Sequence, residues 1–165
     1  KENVSHPKLM KSVNSLRHRS KSCPSNLPSL VDRMLKDLPS YANRIIQRQK
    51  NVLKTQKPSF NIIAAGKPEF DSLKLKSSEY TPNFAENSQQ VFFTTLERRY
   101  SFDRYIEAQN YHKLILTPTD EGWKMVLMFS QLGPTGKNRS SSLPQDTTNS
   151  YMGQVVSLWL RDCLK

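Results

Sequence analysis

The sequence predicts an α+β domain: N-terminal helices, an antiparallel β-meander of four to five strands, and a C-terminal helix packed on the sheet. Three observations lead there. Apolar residues recur at helical spacing after Asn26. Three long runs between residues 90 and 132 are rich in β-branched and aromatic side chains. Helical spacing then returns after Ser150. A length of 165 residues suits one domain. The hydrophobic fraction is low at 36 %, but 24 % charged is ordinary, which argues against wholesale disorder.

Asn26 can cap a helix and Pro28 suits its first turn, with Leu30, Val31, Met34, Leu35 and Leu38 on the apolar face. Pro39 removes a backbone donor and is expected to break or kink the run. A second helix should restart near Ser40, with Tyr41, Ile45 and Ile46 inward and Arg44, Arg48 and Lys50 on its polar side. Phe60 to Ala65 reads as a short strand closed by Gly66 and Pro68. Asp71 to Lys76 alternates weakly, like an edge strand, and the stretch from there to Gln89 reads as a loop.

The three long strands are expected at Gln90 to Tyr100, about Tyr105 to Thr117, and Trp123 to Leu132. Thr119-Asp120-Glu121-Gly122 marks a hairpin turn. In strict alternation Trp123, Met125, Leu127 and Phe129 share one face of the last strand, with Val126 and Met128 on the other. Both faces are apolar, so that strand is expected to be central and covered on each side. Gly133 to Asn149 reads as a long loop. The last helix carries Met152, Val155, Val156, Trp159 and Cys163 at helical spacing, with Asp146 or Asn149 as its cap.

Charge is distributed unevenly. Lys1 to Lys57 hold 13 basic and 3 acidic residues, a net +10, while the rest of the chain nets +1. Residues 1–22 are too polar to offset the entropy of ordering their backbone and are expected to form a disordered basic arm ahead of a single domain spanning residues 23–165. The arm's Arg17, Arg19 and Lys21, together with Arg44, Arg48 and Lys50, are the residues expected to meet an anionic partner. Its alternative role is a solvated tail. No run of eighteen apolar residues occurs in this sequence. The chain begins with Lys, as removal of an export signal or a start within a longer chain would leave it.

Motifs for catalysis are scarce. Gly133-Pro134-Thr135-Gly136-Lys137 fails the phosphate-loop frame, which needs Gly at Gln131 and a hydroxyl at Asn138. His6 and His18 fall in the arm. His112 lies in a strand with only Glu107 and Asp120 near in sequence, which suits a structural histidine better than a base. Two cysteines and scattered histidines match no metal-ligand spacing. No cofactor and no small-molecule substrate are expected, and nothing marks an enzyme. Arg98, Arg99, Tyr100, Phe102, Arg104 and Tyr105 interleave cations with aromatics as single-strand nucleic-acid surfaces do, although hairpin rims carry such residues for packing alone. The sequons at Asn3 and Asn138 are no more than chance provides. Cys23 and Cys163 bracket the folded region, one before the first helix and one on the last. They are expected to form a disulfide tying its ends together. The alternative is two unrelated thiols.

The strings Asp37-Leu38-Pro39-Ser40-Tyr41-Ala42-Asn43-Arg44, Gly66-Lys67-Pro68-Glu69-Phe70, Gln109-Asn110-Tyr111-His112, Gly122-Trp123 and Trp159-Leu160-Arg161-Asp162-Cys163 resemble an uncharacterised family of exported cyanobacterial proteins. The resemblance spans residues 23 to 163, implies no activity, and implies an extracytoplasmic compartment, periplasm or thylakoid lumen. The expectation is a non-enzymatic exported protein that binds or scaffolds an acidic protein, an anionic membrane surface or a membrane-associated complex. The alternative is a small basic nucleic-acid-binding protein in the cytoplasm with both cysteines reduced.

Overall fold

Asn26 opens the first helix as its position predicts, its Oδ1 accepting the Ser29 N–H at 3.1 Å. In the computed structural model, which describes residues 22–53, 60–71, 87–101, 103–134 and 142–165, this helix, α1, covers Leu27–Leu53. The sequence led us to expect two helices separated at Pro39. A single helix runs through it. Losing the interior hydrogen bond costs about 3 kcal/mol, and tertiary contacts on both sides of Pro39 offset it. The apolar stripe stays in phase across the proline, with Leu30, Val31, Met34, Leu35, Leu38, Ala42, Ile45 and Ile46 all buried. Asp37 accepts the Trp159 indole N–H at 2.9 Å, and the Tyr41 hydroxyl donates to Asp162 at 3.0 Å.

The sheet comprises β1 (Phe60–Ala65), β2 (Glu69–Asp71), β3 (Gln89–Ser101), β4 (Arg104–Thr119), β5 (Gly122–Leu132) and β6 (Gln145–Asp146). Its order is β1-β3-β4-β5-β6, all antiparallel, with β2 also pairing β3 on the side of β1. β1 and β2 follow one another along β3, interrupted where the Gly66 N–H bonds to Thr94 O at 2.8 Å. A Cβ at Gly66 would lie 2.5 Å from Thr94 Oγ1, so a larger residue here would have to displace that hydroxyl. β2 thus begins ahead of the expected edge strand, and Leu73 and Leu75 lie outside the described residues. The Thr119–Gly122 turn is a two-residue hairpin, with Gly122 at φ +104° and the Thr119 hydroxyl donating to Gly122 O.

The last long strand departs from the sequence reading in two ways. A bulge pairs Ile115 with Leu127 but Leu116 with Met125, leaving Val126 as the extra residue. Strict alternation therefore fails: Trp123, Met125 and the fully buried Met128 serve the core, and Leu127 does not. Nor is β5 fully central. Beyond β4, among the described residues, its strand pairing is limited to Phe129 and Ser130, opposite the two residues of β6, and Val126 is exposed. β6 itself falls in the stretch read as loop.

The second helix, α2, covers Tyr151–Cys163. Its N-cap is Ser150, whose hydroxyl donates to Thr147 O at 2.8 Å instead of capping. Of the two residues expected in that role, Asp146 instead accepts the Thr148 N–H at 3.0 Å. Both helices contribute to one core with Ile62, Val91, Phe93, Leu114, Leu116 and Met128 of the sheet. Asn43 fixes the edge strand to α1, exchanging two hydrogen bonds with the Ile62 backbone at 2.8 and 2.9 Å. The fold class is the expected one: α+β, with the C-terminal helix packed on the sheet.

Cys23 and Cys163 are joined in a disulfide, with a Cα–Cα distance of 5.2 Å and a sequence separation of 140. A loop of that length restricts the unfolded chain by about 4–5 kcal/mol in the chain-entropy model. Reduction should lower unfolding stability by this amount, measured by urea denaturation with and without dithiothreitol. A change under 1 kcal/mol would show that the tie is energetically idle.

Trp159 is 3 % exposed and joins the shared core. Trp159→Ala should cost about 3–5 kcal/mol in the same urea assay. A loss under 1 kcal/mol would place the stability of the helix contact elsewhere.

Candidate functional site

The inward positions of the sheet change character along its length. On β3 they run Val91, Phe93, Thr95, Glu97, and on the opposed β4 they run Leu114, His112, Asn110, Ala108. The apolar half lies under the helices. The polar half lines an open cleft of about 470 Å³, bounded by Phe60 of β1, Ser130 and Leu132 of β5, Thr147, and the first residues of α2.

Glu97 and Asn110 lie at its base. The Glu97 side chain is only 2 % exposed. Its Oε2 accepts from Arg99 Nε and from Asn110 Nδ2, both at 3.2 Å. The Asn110 amide is thereby oriented, and its buried Oδ1 has no hydrogen-bond partner. Arg99 is half exposed at the rim. Tyr151 stands beside this group, its ring edge-on to Phe60 at 5.4 Å. Burial, and then the Glu97 charge, raise the Tyr151 pKa well above the phenolic range.

A second polar line joins the cleft to the core. Thr95 Oγ1 lies 2.7 Å from His112 Nε2, His112 Nδ1 lies 2.7 Å from Ser130 Oγ, and Ser130 Oγ lies 2.7 Å from Thr147 Oγ1. The ring stacks on Phe93 at 4.9 Å. Burial lowers the His112 pKa to about 4, so the imidazole is neutral at pH 7 and a weak proton acceptor. Neither Glu107 nor Asp120 bonds to it. Its neighbours are hydroxyls, which satisfy a buried neutral ring.

The residues read as partner-binding come together only in part. Arg17, Arg19 and Lys21 lie outside the described residues. Arg44 and Arg48 stand one turn apart on α1. Arg44 packs over the Tyr41 ring at 4.5 Å and donates to Ser40 O. Arg48 lines a groove of about 450 Å³ between the helices, with Ile45, Gln49, Gln154, Ser157, Leu158 and Arg161. Arg161 is exposed and has Asp162 at 3.4 Å. Lys50, two residues past Arg48, projects about 200° round the helix and does not share the groove. It occupies the last turn of α1, where a cation complements the helix dipole.

The cation–aromatic stretch folds back on itself. Arg98 pairs with Glu107 at 2.7 Å and lies 4.6 Å from the Tyr105 ring centre, while Arg99 meets Glu97. Phe102 lies outside the described residues. Among the described residues no group of three His, Cys, Asp or Glu side chains could hold a metal ion. Comparison with protein-family models, curated proteins and solved structures found no match.

Sequence reasoning missed Glu97, Asn110, Ser130, Thr147 and Tyr151. A signal was present. Thr95 and Glu97 continue the two-residue period of Val91 and Phe93, so polar groups occupy positions that the alternation assigns to the interior.

The buried imidazole makes stability depend on pH. An unfolded histidine titrates near pH 6.5 and the folded one near 4. The unfolded chain therefore takes up the proton first, and stability falls as pH drops through that window. The His112 contribution should be about 3 kcal/mol in total, with little further change above pH 7. His112→Gln should flatten the decline between pH 6.5 and 4, measured by urea unfolding at several pH values. Parallel profiles for the two proteins would contradict it.

Proposed function

We propose that this chain is a non-enzymatic binding module of an oxidising, extracytoplasmic compartment, periplasm or thylakoid lumen. It docks the acidic surface of a protein, such as a subunit of a membrane-associated complex, through the basic side of its two helices. The observation that carries this reading is the groove in which Arg48 of α1 and Arg161 of α2 stand among uncharged side chains. Arg44 extends the same side by one turn. An acidic segment in the groove would find guanidinium groups for bidentate contact with its carboxylates and amides at Gln49 and Gln154 for its backbone. The N-terminal arm adds long-range attraction over about 8 Å at physiological salt.

The Cys23–Cys163 disulfide is compatible with an oxidising compartment, and the resemblance to exported cyanobacterial proteins supports the finer location. Weak basicity at His112 supports binding over acid–base turnover. Nucleic-acid binding draws less support, because Arg98 is already engaged by Glu107 and Tyr105.

Polyglutamate serves as the probe. Its binding should weaken steeply between 50 and 200 mM salt (roughly the range over which exposed charges become screened). Arg48→Glu combined with Arg161→Glu should reduce it at least tenfold with the melting temperature little changed. Removal of residues 1–21 should weaken it further. Undiminished binding by the double variant would overturn the assignment of the groove. Tighter binding to single-stranded DNA than to polyglutamate at equal salt would favour nucleic acid instead.

A further inference from the structure

We infer that the cleft at the polar end of the sheet is a binding site for a small molecule bearing a primary ammonium group, held by Glu97 and Asn110. Three features of the cleft converge on this ligand.

The first is the unpaired acceptor. Asn110 is 9 % exposed and lines the cleft, yet its Oδ1, itself closed to solvent, has no partner among the described residues. The amide cannot relieve this by turning over, because its Nδ2 is committed to the Glu97 carboxylate at 3.2 Å. A buried acceptor without a donor is costly to keep, and in an open cleft the missing donor can come from a ligand.

The second is the adjacent carboxylate. Both donors that reach Glu97 use Oε2, and among the described residues none donates to Oε1. Oδ1 of Asn110 and Oε1 of Glu97 are thus two acceptors without a donor among the described residues, at the closed base of the cleft, on side chains that are themselves hydrogen-bonded together. Anions and carbonyl oxygens find no partner in that pair. An ammonium group supplies three donors and a positive charge, matching both acceptors.

The third is the wall. Phe60 and Tyr151 line the cleft together, with Leu132 and Met152 beside them. Apolar and aromatic surface accepts the alkyl part of an amine, and ring faces attract cations. A volume of about 470 Å³ suits a ligand of this size. Arg99 tempers the site, since it compensates Glu97 from the half-exposed rim. It competes with the incoming cation for the same carboxylate.

Calorimetric titration of the intact, disulfide-bonded chain with n-butylammonium, n-butanol and n-butyrate tests this directly. Butylammonium should bind, with the alcohol and the carboxylate at least tenfold weaker. Glu97→Gln keeps the hydrogen-bonding shape and should reduce butylammonium affinity at least tenfold. Arg99→Ala alters only a half-exposed side chain, so it tests the site even if the Glu97 variant folds poorly. It should tighten butylammonium binding several-fold by removing the competing cation. Equal affinity for butanol, unchanged affinity in Arg99→Ala, or no binding of butylammonium to the intact chain would each overturn the proposal. None of these results depends on whether the helix groove binds an acidic partner.

Discussion

The clamp between the two helices is the constraint on which the rest of the molecule depends. Asp37 and Tyr41 bind Trp159 and Asp162 on either side of Pro39. Proline ordinarily divides a helix because it removes a donor and crowds the carbonyl four residues back. Here the residues flanking it are held by a second helix, whose own end is tied covalently to the start of the first. Continuity of α1 in turn carries Ala42, Ile45 and Ile46 onto the core and brings Asn43 to the bulged backbone of β1. A helix ending at Leu38 would leave the sheet edge without that support.

The same clamp determines where the cleft opens. With α2 docked along α1, its N-terminal residues end over the sheet beside Glu97, Asn110 and Ser130. The apolar inward residues lie under the helices, and the polar ones, although buried as well, border the cleft that opens where α2 begins. Retaining a carboxylate, an amide and an imidazole on the core side of a small sheet has a desolvation cost. The hydroxyl line through His112 offsets it for the ring, since both nitrogens have partners at 2.7 Å. It is not fully offset at Asn110, whose Oδ1 has no partner among the described residues, and in this the cleft differs from the satisfied polar interior beside it.

The two surfaces differ in their electrostatics. The helix groove holds Arg48 and Arg161, and the chain's excess charge is concentrated in the same N-terminal third as α1. The cleft is nearly balanced, one buried carboxylate against one rim guanidinium. Long-range attraction therefore acts at the helices, while recognition in the cleft depends on short-range hydrogen bonds. The acidic partner and the small cation proposed above would therefore not compete for the same charge.

The sequence by itself determined the α+β class, the strands from Phe60 to Ala65 and from about Gln90 to Leu132, the Thr119–Gly122 turn, the Asn26 cap and the covalent pairing of Cys23 with Cys163. These follow from periodicity, turn chemistry and position, which are local or depend only on the order of elements. It also located Arg44 and Arg48 on the polar side of α1. Tertiary structure decided what local rules contradict or leave open. Helix–helix bonds override the proline at Pro39. A bulge at Val126 reverses the faces beyond it, because one inserted residue shifts a two-residue period by half. Lys50 separates from Arg48 because two residues of helix turn a side chain to the opposite side. Glu97 and Asn110 lie 13 positions apart and carry no motif. Only the register of β3 against β4 brings them together, and only the place where α2 begins leaves a cleft beside them.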